Sequence, residues 1–288
     1  MSRRWSTLAV SVVLASDPAR AADSERPVLP APFVLPDLSH PAFDARLDGF
    51  LGRLAPRSPD RSGAVAALVR PSVEGIVLAP RRLYLGAAFP MAAALPPDGG
   101  LAPGEVGRAD GTQLLLGNAE AHVRAVFPLP SALEIGWSLT VVAPTATFDR
   151  SDRANRSAAE AASTFDPTSY VHLQPGRMAV RPAGDVRILR GPLVLQGRHG
   201  IDVLVDHAGI ESASAAGRLL GHVGVLVRPD VEVSFEASQI YFFASDEKPR
   251  DPSTTADAAF AERYRVSDER RAAFTFGPGI RLATRELD

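Results

Sequence analysis

The chain has 288 residues, 45% of them hydrophobic, and 31 Lys and Arg stand against 33 Asp and Glu for a formal net charge of −2. So balanced a charge leaves no electrostatic footprint for nucleic acid. Cysteine is absent, which excludes disulfides, thiol nucleophiles and thiolate-held zinc.

At the N-terminus Arg3 and Arg4 precede a short apolar run from Leu8 to Ala15, and Ala19 and Ala21 form an A-x-A pattern. A positive start, a short apolar stretch and small residues before a cut predict a secretory signal peptide over residues 1–21. The run is too short to span a bilayer as a helix. Residues 22–71 begin proline-dense ("ERPVLPAPFVLPDLSHP") and are expected to form an extended linker. Within it Phe43, Leu47, Phe50, Leu51 and Leu54 fall on one helical stripe. With Ser39 and Pro41 placed to start a helix, this predicts a short amphipathic helix on the domain surface.

From Ser72 onward the pattern is that of strands, and 72–288 is expected to be one all-β domain. Nine segments qualify: 72–79, 81–89, 112–127, 132–143, 177–189, 193–207, 218–228, 231–243 and 272–284. The links at Pro80, 128–131, 190–192 and Pro229-Asp230 are short and turn-like. Those at 90–111, 144–176, 208–217 and 244–271 are long. Short and long links alternate, so an up-and-down meander would gather every tight turn at one end.

The clearest strand is "GNAEAHVRAVF". Asn118, Glu120, His122 and Arg124 fall on one side; Gly117, Ala119, Ala121, Val123, Ala125 and Phe127 fall on the other. Segment 231–243 sets Glu232 and Glu236 against Val233 and Phe235, and 193–207 sets Arg198 and Asp202 against Ile201 and Val203. His199 lies on the apolar row of its segment, which implies either a bulge near Gly200 or an imperfect apolar face. Aromatics gather toward the long-loop ends, among them Phe148, Tyr241, Phe243 and Phe276.

Over residues 72–284 this layout resembles bacterial outer-membrane β-barrels of porin-like type, with short turns, long loops and strands apolar outside and polar within. The resemblance is to an architecture and to no particular family. It implies a meander of about ten to twelve strands forming a transmembrane barrel, complete or not. Lipid would touch the apolar rows. Asn118, Glu120, His122, Arg124, Arg198, Asp202, Glu232 and Glu236 would line the lumen. The resemblance implies passive passage of small hydrophilic solutes, or a structural role in which paired charges fill the interior and the loops are presented outside. The alternative is a soluble, secreted or periplasmic β-sandwich with a binding role, whose strands also alternate but whose apolar rows face each other.

Nine strands cannot close an even-numbered antiparallel barrel, and "RLATRELD" follows the last of them where a further turn is expected. We expect a chain truncated before its final strands, against a strand hidden in 23–70 or an open sheet. No G-x-S-x-G, P-loop, G-x-G-x-x-G after a strand or H-E-x-x-H occurs. The six histidines show no ligand spacing. No enzyme activity, cofactor or metal is expected.

Overall fold

The computed structural model describes residues 6–14, 43–53, 65–78, 82–95, 113–129, 132–148, 155, 159, 171–206, 213–228, 231–245, 265–267 and 270–282. They form β1 (Ser6–Leu14), β2 (Phe43–Arg53), β3 (Val65–Leu78), β4 (Leu83–Ala88), β5 (Met91–Leu95), β6 (Gln113–Leu116) and β7 (Glu120–Leu129). There follow β8 (Leu133–Val142), β9 (Arg177–Arg190), β10 (Leu193–Asp206), β11 (Ala213–Arg228), β12 (Val231–Ser245), β13 (Arg265–Ser267) and β14 (Arg270–Leu282).

All belong to one antiparallel sheet in the order β1-β2-β3-β4-β7-β8-β9-β10-β11-β12-β14-β13, with β5 and β6 paired beside the path. The meander is up-and-down, and the sheet is not closed. β4 and β5 act as a single strand interrupted at Phe89-Pro90, both running along β3. Pro90 has no N–H to give the ladder. Pairing nonetheless carries across the break, because Phe89 N–H donates to Pro71 (3.0 Å) and Gly117 N–H donates to the Pro90 carbonyl (2.9 Å). The strand therefore continues into the region expected to be a loop from residue 90. β6 and β7 are likewise one strand, interrupted at Gly117–Ala119.

The expected helix near Phe43 is instead β2, hydrogen-bonded to β1 on one side and β3 on the other. Its apolar residues fit two periods at once: Phe43, Leu47, Phe50 and Leu51 make a helical stripe, while Phe43, Ala45, Leu47, Gly49 and Leu51 alternate as a strand. Two flanking strands satisfy its backbone, and Gly49 and Gly52 weaken the helical option. One strand therefore does lie within residues 23–70, and β3 begins at Val65, seven residues before the expected start.

Short links join β3 to β4, β7 to β8, β9 to β10 and β11 to β12, all at one end, termed the tight-turn end. Arg82, Ala132 and Gly191 adopt left-handed backbone at three of them (φ 42°, 59° and 59°). The β10 register runs without a shift against both neighbours, so no bulge rescues His199. It lies on the exposed face, with its Nε2 3.1 Å from the Tyr241 hydroxyl.

The sheet buries one face and exposes the other, and its polarity is the reverse of a water-soluble sheet. Alternation is strict along β9, where Arg177, Ala179, Arg181, Ala183 and Asp185 are buried while Met178, Val186 and Ile188 are exposed. Asp202 and Glu232 are 0% exposed and Arg124 1%, whereas Leu85 is 55%, Trp137 47% and Val227 59% exposed.

Candidate functional site

The buried face carries a chain of ion pairs running across the sheet from β2 to β12. On β3 and β7, Arg124 grips Glu74 with two hydrogen bonds, Nε to Oε1 at 2.9 Å and Nη2 to Oε2 at 2.7 Å. This fork geometry is the strong form of the pair. His122 Nε2 lies 3.3 Å from the same carboxylate, and the Arg124 guanidinium sits 4.8 Å from the Tyr84 ring centre. These contacts pass over the intervening β4 at Gly86, which has no side chain to block them. Beyond them Arg70 on β3 bonds Asp48 on β2 at 3.2 Å.

A second group ties β9, β10 and β11. Asp202 Oδ1 accepts from Arg181 Nε at 3.0 Å and from Arg218 Nε at 2.6 Å, so one carboxylate serves two guanidinium groups. Beside it Arg198 holds Asp185 through Nε (2.6 Å) and Nη2 (2.9 Å). A third group lies toward the tight turns, where His222 Nε2 meets Glu232 Oε1 at 2.8 Å and Nδ1 meets Glu236 Oε1 at 3.1 Å. On β8, Glu134 receives Arg82 at 3.4 Å and Arg187 at 3.6 Å. Charges taken out of water must be paired to persist, and these are.

At the long-loop end the segment before β9 folds inward. Val171–Leu173 form a short 3₁₀ turn, and Val171, His172, Leu173 and Gln174 are all buried. Val171 packs on an apolar layer of Val142, Ala179, Leu204, Ala216 and Ile240 from β8 to β12. Asn118, in the break between β6 and β7, latches this turn. Its Nδ2 donates to the carbonyls of Gln174 (2.7 Å), Val171 (3.2 Å) and Arg177 (3.3 Å), and its Oδ1 accepts from Ala146 N–H (2.8 Å). Its own N–H donates to the His172 carbonyl at 2.6 Å. His172 Nε2 meets Glu120 Oε2 at 2.7 Å, while its Nδ1 has no hydrogen-bond partner among the described residues. A protonated ring would bury an unpaired Nδ1–H, so the geometry favours the neutral ring donating through Nε2. Burial pushes His172 below the ordinary imidazole range, against the pull of Glu120.

The structure thus places all eight residues singled out from the sequence on the buried face. Glu120, His122 and Arg198 are half-buried, and the others are buried. It does not assemble them into one site. They fall into the groups above, and most pair with residues that were not singled out: Glu74, Arg181, Asp185, Arg218 and His222. Those lie in phase with polar rows of their own strands, as Glu134 and Ser138 do against Ile135 and Trp137, so alternation could have found them. Nothing in the sequence marked His172, which lies between strands.

Among the described residues no group of three or more His, Asp or Glu is arranged to hold a metal ion. No helix there is long and apolar enough to cross a membrane, which says nothing of crossing by strands. No protein-family model, curated protein or solved structure matches this chain.

Proposed function

We propose that this chain is an outer-membrane β-barrel protein with an occluded interior, which anchors and presents its long loops rather than forming a standing open pore. The observation that carries the reading is the inverted polarity of the sheet. Exposed Leu, Val, Ile, Phe and Trp side chains face outward on strand after strand, while Arg, Asp and Glu are buried behind them. In water such a surface is a liability; in hydrocarbon it is what a spanning strand needs, and the backbone of the inner strands is satisfied by the ladder. The strands from β8 to β12 are 10 to 16 residues long, enough for a tilted span of about 9–11 residues. A β-sandwich would put those apolar rows inside.

Occlusion is supported by the pairing of the buried charges and by the latched Val171–Gln174 turn. An open passage needs hydrated charge along its wall. Expression, fractionation, and comparison of unboiled with boiled gel samples tests the membrane reading. The expected result is membrane-bound protein whose mobility shifts on heating. Soluble protein with no shift would overturn it. Planar-bilayer recording then tests occlusion: the intact protein is expected to be silent, and Asn118→Ala, which frees the turn, to show current. Steady conductance from the intact protein would instead support passage of small hydrophilic solutes.

A further inference from the structure

Strand direction and parity identify which two edges of this sheet belong together. β2 runs from the tight-turn end, where Phe43 lies opposite Gly75, to the long-loop end, where Arg53 lies opposite Val65. β14 runs the other way, from Arg271 opposite Phe242 to Leu282 opposite Val231 at the tight-turn end. β1 runs in the same direction as β14, from Ser6 opposite Arg53 to Leu14 opposite Ala45. A β1–β14 junction would therefore be parallel, in a sheet that is otherwise antiparallel throughout. A β2–β14 junction would be antiparallel.

Among the described residues, with β4/β5 and β6/β7 each counted as one strand and the three-residue β13 set aside, β2, β3, β4/β5, β6/β7, β8, β9, β10, β11, β12 and β14 make ten, an even number. Even parity is what antiparallel closure requires. The faces also agree. Leu47 on β2 is exposed and its neighbour Asp48 buried. On β14 the register sets Pro278 opposite exposed Phe235 and Gly277 opposite buried Glu236. Pairing Leu47 with Pro278 and Asp48 with Gly277 keeps like faces together, as does any shift by two residues, and it brings Phe43 level with Leu282. β13 occupies the edge of β14 only at Arg270 and Arg271, beyond the residues this register uses, so the obstacle to the seam lies on β2. β1 is hydrogen-bonded along Ala45–Arg53, on the only edge of β2 that β3 leaves free.

We propose that β2 and β14 form the antiparallel seam of a closed ten-stranded barrel, and that β1 is a placeholder strand holding the seam open until residues 1–21 are removed. Removal of that segment rests on the exported-barrel reading above. The consequence is ordered assembly: the chain cannot close on itself before its leader is cut, and cutting exposes the edge that β14 needs.

Because the chain has no cysteine, introduced pairs report unambiguously. Ala45→Cys is combined in turn with Pro278→Cys, Ile280→Cys and Leu282→Cys to cover the registers that keep faces matched. Val233→Cys with Ile280→Cys reports β12–β14, and Val10→Cys with Gly49→Cys reports β1–β2; both are directly opposed pairs. The full chain is expressed in an exporting bacterium, its mature N-terminus is read by mass, and disulfides are read on non-reducing gels. We expect most of the protein to cross-link through one of the Ala45 pairs and none through Val10–Gly49. Ala19→Arg with Ala21→Arg, which blocks the cut, should reverse that preference. Formation of the Val233–Ile280 disulfide with none of the Ala45 pairs would overturn the seam, as would a Val10–Gly49 link persisting in the assembled protein. The heat shift reads independently: a seam without a shift refutes the membrane and keeps the closure, and a shift without a seam does the opposite.

Discussion

At Gly86 the backbone of β4 passes beneath the His122 ring, and only the missing side chain makes room for it. A Cβ built there would fall 2.5 Å from His122 Nε2 and 2.7 Å from the carbonyl oxygen of Val73 on the paired strand. The ring could swing away, at the cost of its contact with Glu74, but the backbone carbonyl could not. Gly86→Ala should therefore destabilise the sheet by about 1–3 kcal/mol. Gly184→Ala, where nothing lies within 4 Å, should change little; thermal unfolding of the two variants side by side checks the contrast. His172 supplies the pH dependence. Its folded value lies below that of the free ring because burial disfavours the charged form. The neutral ring's contribution to stability is therefore present above the free-ring pKa of about 6.5. It is lost as the pH falls from there through the folded value. The charged and titratable groups facing the ring are Glu120, Arg181 and Arg70. Glu120 resists the loss and the two arginines add to it. The protection factor of the Asn118 amide, which donates to the His172 carbonyl, should fall below about pH 6.5 once the intrinsic pH dependence of exchange is divided out. In His172→Gln, which keeps a donor for Glu120 without titrating, the protection factor should show no such step.

β2–β3 and each neighbouring pair from β8 to β12 are tied twice, by the ladder and by an ion pair on the buried face. The ladder has a weak point at Pro182: the β9–β10 register runs to Gly200 opposite Ala183, lapses, and resumes at Val203 opposite Val180. Proline cannot donate there. Asp202 stands in that lapse and, with Arg181 and Arg218, joins β9 to β10 and β11 where backbone bonding is thinnest. Asp202→Asn would leave two buried guanidinium groups around a neutral amide, and the loss of one partner from a buried pair costs about 3–5 kcal/mol. Denaturant unfolding should show a loss of that size. A loss below about 1 kcal/mol would mean that the cluster is hydrated and weak. Element type was legible wherever one residue period stood alone, as along β8 to β12. It was not legible at Phe43–Arg53, where two periods coincide, or at Met91–Leu95, where Pro90 looks like a strand end and the bonds that carry pairing across it come from Pro71 and Gly117. The ion-pair partners were legible as polar rows. Which row member meets which depends on strand order and register, and the latch depends on a turn folding back across the sheet, which no local pattern encodes.

For the molecule as a whole the open question of sequence was which face meets water, since strict alternation is symmetric between the two answers. The burial of the polar rows makes them the interior, and the apolar rows are then left facing whatever surrounds the protein. A single charge on that outer face discriminates the surroundings. Val223 lies near the middle of β11, half exposed at 49%, between Leu219 and Val225 on the same apolar row. In hydrocarbon, an arginine at mid-depth of a barrel strand costs about 2–4 kcal/mol, falling toward zero near the interfaces. In water the same change on an exposed position stays within about 0.5 kcal/mol. Val223→Arg should therefore destabilise the folded protein by about 2–4 kcal/mol in lipid, measured as a shift in the denaturant midpoint for refolding into vesicles. Arginine at Val227, near the tight-turn end of the same strand, should cost well under half as much. Equal and negligible effects at both positions would place the apolar face in water, and the inverted polarity of the sheet would then call for a protein partner large enough to cover it.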